Sequence, residues 1–487
     1  MQKTISSQIR FWPPIFWIVT LGLFLRILFI LKGGALYYGK PDFWIIGGDT
    51  YAWFDSFLNL YKHGIYTHDL TVENGKFFRP PGYALIMGSV YLICGKQFQL
   101  METVLMWLQT ILDVSSIYLV YRIAVQSFAN KLFGNIAASL YACYPFIIVW
   151  VPVLYAESTS VFFLLLSLYF FMKEFTIRSC FISALFLGLA SLIRLQCIPV
   201  FGVFAIVILL KGSAHIKTRL KYISAFTLAF CISYGLWPMR NYFLQHRLVF
   251  TQDLNVGGNW SQDYLSMINY LYTIQVDVQP QRDQIIRMQK VTWPSVAKID
   301  KNDAYLLDSL SELCRRCGTG FSFFRAHAGL TAHTVSQNNK CDSLIEAGFN
   351  YLALKQKEIN KWHYYLTLPL GNLKKALFKS SLYGNKSVTV KLIAFLLFGI
   401  RTLLIFFGIA GIFIGWRKNI LNRKILLTIL LYCFFWYFYM SFVFRQMEIR
   451  YLLHADILLL FPAAYIIYLI IESTSHKMKF NQKSGRD

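Results

Sequence analysis

Along the chain, long apolar runs alternate with short charged connectors. Ten runs stand out, over residues 15–31, 101–121, 132–150, 154–172, 180–193, 198–210, 222–239, 391–416, 425–444 and 451–471. Their length and composition read as membrane helices. Lipid offers no hydrogen-bond partner, so such a segment must satisfy its own amides as a helix. A further run, 83–95, has thirteen residues. It is short for a full crossing and suits a re-entrant or half-membrane helix. Two polar stretches interrupt the pattern, 32–82 and 240–390. Within the second, 303–313 and 344–359 read as amphipathic helices, so an α-rich cap is expected there rather than disorder. The predicted fold is an all-α polytopic membrane protein. A membrane module, 1–239, holds a first loop at about 32–82; the cap, 240–390, precedes C-terminal membrane helices in 391–472 and a basic tail, 473–487.

Composition sharpens this picture. The 487 residues have a mean hydropathy of +0.46, with 56% hydrophobic and 15% charged side chains, too few charges to cover a soluble surface of this size. The net charge is +24. In a membrane protein that surplus belongs to cytoplasmic connectors, anionic lipid or substrate phosphates. No basic stretch is interleaved with base-stacking aromatics, so nucleic acid is not an expected partner. Of nine cysteines, Cys94, Cys143, Cys180, Cys197, Cys231 and Cys433 lie in or beside apolar runs, as small hydrophobes do. Residues 1–10 are short and basic, with no small-residue cleavage site after the following run, which predicts an uncleaved anchor.

Lysines and arginines set the expected orientation. With the N-terminus inside and 83–95 dipping without crossing, six connectors fall on the cytoplasmic side. Segments 1–14, 122–131 and 173–178 carry two Lys/Arg each, and 211–221, 417–424 and 473–487 carry four each. The outer connectors hold one at Arg194 and two in 445–450. That asymmetry matches the positive-inside rule. Both polar stretches then lie outside, and the chain is expected in a cell membrane as a multi-pass protein.

On this topology several charges gather on one side. Asp49 and Arg79 are in the first loop, and Glu157 stands at the outer start of a helix. Arg194 lies in an outer turn, Arg240 and Asn241 follow Trp237-Pro238, and Arg445, Glu448 and Arg450 share a short turn. Charges near membrane depth are costly and usually face a polar cavity. Any one of them could be a snorkelling side chain, but several arginines against two or three carboxylates on one face favour an anion site. In loop one, Gly47-Gly48-Asp49-Thr50-Tyr51 precedes a short amphipathic segment, 54–58, expected on the surface. Arg79-Pro80-Pro81-Gly82-Tyr83 then fixes an extended entry and the start of the short helix.

These pieces resemble the GT-C superfamily of polyprenyl-phosphate-sugar-dependent glycosyltransferases, which includes the protein O-mannosyltransferases and the lipid A aminoarabinose transferase. The likeness rests on Asp49-Thr50-Tyr51, Arg79-Pro80-Pro81-Gly82-Tyr83, Tyr155-Ala156-Glu157, Leu192-Ile193-Arg194, Trp237-Pro238-Met239-Arg240-Asn241-Tyr242 with Gly257-Gly258-Asn259, and Arg450-Tyr451-Leu452-Leu453. They run in order from about Arg26 to Tyr468, with the middle of the cap unmatched. The resemblance implies a GT-C-like bundle of about 10–11 transmembrane helices, a polyprenyl-phosphate-linked sugar donor, and a lipid, glycan or protein acceptor on the outer side. It casts Asp49 as general base, with Asp55 as alternative because Thr50 stands where many relatives have a second acid. Arg79, Tyr83, Arg194, Arg240, Asn241 and Arg450 become candidates for binding phosphate or substrate. Glu157 would hold an arginine or bind the sugar. A bacterial inner membrane fits relatives of this size. No cofactor is implied, and a divalent metal remains open.

Other signals point elsewhere. Cys314-Arg315-Arg316-Cys317 with His327, His333 and Cys341 could ligate zinc, but the spacing matches no common finger. A disulfide from Cys341 to one of the pair suits an oxidising exterior. Arg315, Arg316, His327 and His333 also admit an O-antigen-type ligase or polymerase. A lipid-substrate transporter or flippase would show repeats and helices broken at mid-membrane, which are absent from the pattern. Asp113, within an apolar run, is expected to bond neighbouring helices.

Overall fold

The computed structural model describes the chain except residues 1–12, 46, 212–214, 254–260, 298–299, 331–338, 380–387, 419–421, 446–447 and 485–487; side-chain placement is also left aside for 327 and 475–484. Gly257-Gly258-Asn259 and His333 therefore lie outside the described residues. Every regular element among those described is helical. The protein is an all-α, multi-pass membrane protein. Among the described residues five helices are long and apolar enough to cross a membrane: Pro14–Tyr38, Phe98–Phe128, Val388–Lys418, Arg423–Phe444 and Ile449–Thr474. Ile216–Ser233 and Leu236–Gln245 form a sixth candidate, bent by 52°. Shorter apolar helices occupy Pro81–Ile93, Glu157–Met172, Ile177–Ile193 and Leu195–Leu210. Among the described residues some of the expected membrane runs are thus full-length helices and others fold as shorter or bent pieces. Run 132–150, for example, becomes Lys131–Ala142 and Pro145–Ile148, parted at Cys143.

Two buried ion pairs lock the bundle. Arg26 Nε meets Asp113 Oδ2 at 2.6 Å, and Tyr141 donates its hydroxyl to Asp113 Oδ1 at 2.6 Å. Asp113 thus bonds neighbouring helices, as the sequence suggested. Arg401 pairs with Asp456 at 2.7 Å and 3.1 Å and donates to the Ala376 carbonyl at 2.6 Å. Tyr144 and Tyr437 add hydroxyl donors to the same carboxylate. Such charges persist in an apolar interior only when paired.

The first loop folds onto this bundle. Its helix runs Gly48–His63, so Asp49 sits in the first helical turn rather than in a loop before it. Trp53, Phe54 and Phe57 are buried. The expected surface helix at 54–58 is thus the middle of a longer, half-buried one. Phe57 packs against Gly88 of the short helix, where a built Cβ would fall 2.0 Å from the ring. The cap has a second core. Gln262–Ile274 packs along Asn339–Ile359, with Lys301–Arg316 beside it, around Met267, Tyr270, Leu271, Ile345 and Phe349. Cys317 and Cys341 are joined in a disulfide, and Cys314 is a buried free thiol.

Two outcomes test these supports. Arg401→Ala leaves Asp456 buried without its counter-ion and should cost about 3–5 kcal/mol, read as a lowered unfolding midpoint in detergent. Cys317→Ser should destabilise the cap by about 2–4 kcal/mol, seen as faster proteolysis within 262–359 while the membrane helices stay protected.

Candidate active site

The site begins with how the short helix is placed. Pro80 is extended and Pro81 opens Pro81–Ile93 at a position where a missing N–H costs nothing. Gly82 is required by close approach: a Cβ there would lie 2.6 Å from the Leu192 carbonyl carbon and 2.7 Å from the Ile193 nitrogen. Backbone contact at Gly82 therefore brings Arg79 beside Arg194, which caps Ile177–Ile193 in extended conformation. Arg450 enters from the first turn of the last helix.

Asp49 is the meeting point. Its Oδ1 accepts from Arg79 Nη2, and its Oδ2 accepts from Arg450 Nη1 at 2.9 Å. Burial raises the Asp49 carboxyl, but Arg79, Arg450 and Arg194 outweigh it and hold the group at about 2. Because the folded value is depressed, the stabilisation is complete above the ordinary carboxylate range and is lost only as pH falls through about 2. Each guanidinium also lies over aromatic rings. Arg79 is 4.9 Å from the Trp53 centroid, Arg450 5.1 Å from Tyr451 and Arg194 5.9 Å from Tyr451.

These groups line a cavity of about 500 Å³. Its charged lining is Asp49, Arg79, Arg194, Glu448 and Arg450. Its apolar lining includes Phe435, Trp436, Tyr439, Met440 and Phe444, where Arg423–Phe444 widens into a π-helical turn over Tyr439–Phe444. The cavity is therefore lined by both charged and aromatic side chains.

Other predicted residues act outside this space. Glu157 is fully buried and pairs with Arg194, so it positions that guanidinium rather than facing the cavity. Tyr83 is buried and donates to Gln109 Oε1 at 2.5 Å. Gln109 in turn donates to the carbonyls of Val151 and Val153, bracing the irregular chain before Glu157. Arg240 donates to the Lys76 and Tyr66 carbonyls at 2.9 Å, and Asn241 to the Val249 carbonyl at 2.9 Å. Arg240 thereby ties the first loop to the bent helix, and Asn241 ties that helix to the segment that follows it. Asp55 is six residues beyond Asp49, about 9 Å along the helix and on another face. It does not line the cavity, and burial together with Asp69 raises its carboxyl. Arg315 and Arg316 pair with Glu312 on the cap. Glu448 was noted in the sequence as a charge but not as a cavity residue. The wall at 435–444 was legible only as the densest aromatic run of a membrane helix. Among the described residues no cluster of three or more metal-ligating side chains forms.

Residues 78–237 match the family model of dolichyl-phosphate-mannose-protein mannosyltransferases. The resemblance to GT-C glycosyltransferases is borne out by that match. Among solved structures, the archaeal oligosaccharyltransferase AglB from Archaeoglobus fulgidus, in complex with an inhibitory peptide and a dolichol-phosphate, is similar at 12% identity and a TM-score of 0.49. The likeness covers 96% of this chain and 52% of that one, so this chain spans about half its length. ArnT from Cupriavidus metallidurans in the apo state is similar at 13% identity and a TM-score of 0.37, covering 92% of this chain and 77% of that one. No curated protein sequence matches significantly.

The anchoring role of Arg240 has a direct check. Arg240→Ala should free the first loop, raising protease cleavage within 64–78 by severalfold, with the rest of the bundle unchanged.

Proposed function

We propose that the chain is a membrane glycosyltransferase that moves a monosaccharide from a polyprenyl-phosphate donor to an extracytoplasmic acceptor with inversion. The observation that carries this reading is one cavity lined by three arginines and by aromatic side chains, which offers cations to a phosphate and apolar surface to a lipid chain. The match of residues 78–237 to dolichyl-phosphate-mannose-protein mannosyltransferases supports the same chemistry. Asp49 is the general base. It takes the acceptor hydroxyl proton while the acceptor oxygen bonds to the anomeric carbon, and the bond from that carbon to the phosphate oxygen breaks. The departing polyprenyl phosphate carries the negative charge, which Arg79, Arg194 and Arg450 stabilise. Glu157 acts through Arg194, and Arg240 and Asn241 shape the loop. The sugar is a hexose or pentose, and the setting is a bacterial inner membrane with the site on its outer face.

In membranes supplied with a polyprenyl-phosphate sugar, Asp49→Asn should lower transfer by about 10²–10⁴-fold per folded molecule, measured as release of polyprenyl phosphate. Transfer by the variant at the wild-type rate removes Asp49 from the reaction.

A further inference from the structure

Every nitrogen of the Arg450 guanidinium already has a partner. Nε donates to Glu448 Oε2 at 2.6 Å, Nη1 to Asp49 Oδ2 at 2.9 Å, and Nη2 to the Tyr451 hydroxyl at 3.3 Å. Arg79 gives Nη2 to the other Asp49 oxygen, while its Nε is buried with no partner. A single carboxylate thus bridges two guanidiniums in the cavity lining, with its side chain 23% exposed. A phosphate bound by Arg79 and Arg450 competes with Asp49 for these donors, since guanidinium forks bind carboxylate and phosphate oxygens alike. Two anions on the same donors in a partly desolvated cavity repel each other.

Resting on the glycosyltransferase reading above, we infer that Asp49 is the resting anion of the donor-phosphate site, displaced from Arg79 and Arg450 when the polyprenyl phosphate binds. Glu448 keeps its bond to Arg450 Nε during the exchange and holds the guanidinium in place. The exchange has two effects. The donor binds against an internal competitor, so part of its attraction to the arginines is used to open the ion cluster. The carboxylate is released from both guanidiniums only when the phosphate is in place, which restores its basicity at the moment an acceptor can be used. Before that, two positive neighbours hold it as a weak base.

The test is equilibrium binding of radiolabelled undecaprenyl phosphate to the purified full-length protein in detergent. Wild type is compared with Asp49→Asn, Asp49→Ala and Arg450→Ala, each with its unfolding midpoint recorded. Both Asp49 variants should bind about tenfold tighter than wild type although they lose transfer, and Arg450→Ala should bind more weakly. An Asp49 that merely scaffolds the arginines would show the opposite, weaker lipid binding on its removal. If wild type binds and the folded Asp49 variants bind equally or less tightly, the displacement is overturned and the donor reading stands. If wild type does not bind the lipid phosphate at all, the donor reading fails and takes this inference with it.

Discussion

The bridge from Asp49 to two arginines is the constraint on which the rest of the site depends. Its partners lie 30 and 401 residues away along the chain, so one carboxylate joins the first loop, the short helix and the last membrane helix. Three charges this close can stay partly buried only if each neutralises another. Anything that moves Pro81–Ile93 or the start of the last helix leaves an unpaired charge beside an apolar wall. Position and electrostatics are therefore one requirement here.

The elements around the bridge meet that requirement by different means. Gly82 removes the side chain that would hold the short helix off Leu192 and Ile193. Glu157 fixes Arg194 from behind, outside the cavity. Arg240 gathers the Tyr66 and Lys76 carbonyls and keeps the first loop folded over the site. Deeper in the bundle, the Arg401–Asp456 pair ties Val388–Lys418 to the last helix below Arg450. Outside the cavity, Arg445 donates to the Tyr364 carbonyl at 3.0 Å and stacks on that ring.

Much of this was legible in the chain, for identifiable reasons. The helices were readable because lipid forces backbone pairing into local helical bonds, a pattern that needs no knowledge of neighbours. Arg79-Pro80-Pro81-Gly82 was readable because proline and glycine restrict or free the backbone wherever they stand. Asp113 as a helix-bonding acid followed from the cost of an unpaired charge in an apolar run. Length was less legible. Apolar content does not say where a helix breaks, and 132–150 broke at Cys143-Tyr144. The roles of Tyr83, Arg240 and Asn241 were beyond reach for a similar reason. A polar residue near a site has the same letter whether it faces substrate or a neighbouring carbonyl.

The sequence by itself determined an all-helical membrane protein with its arginines and key acids in a few turns. Hydrophobic runs and charged connectors are one-dimensional properties and survive without a fold. Only the tertiary structure decided which charges meet. Asp49 took Arg79 and Arg450, Glu157 took Arg194, and Asp55 was left on another face of the same helix. Those choices depend on helix rotation and on approaches of a few ångströms between segments hundreds of residues apart, and no local pattern encodes them.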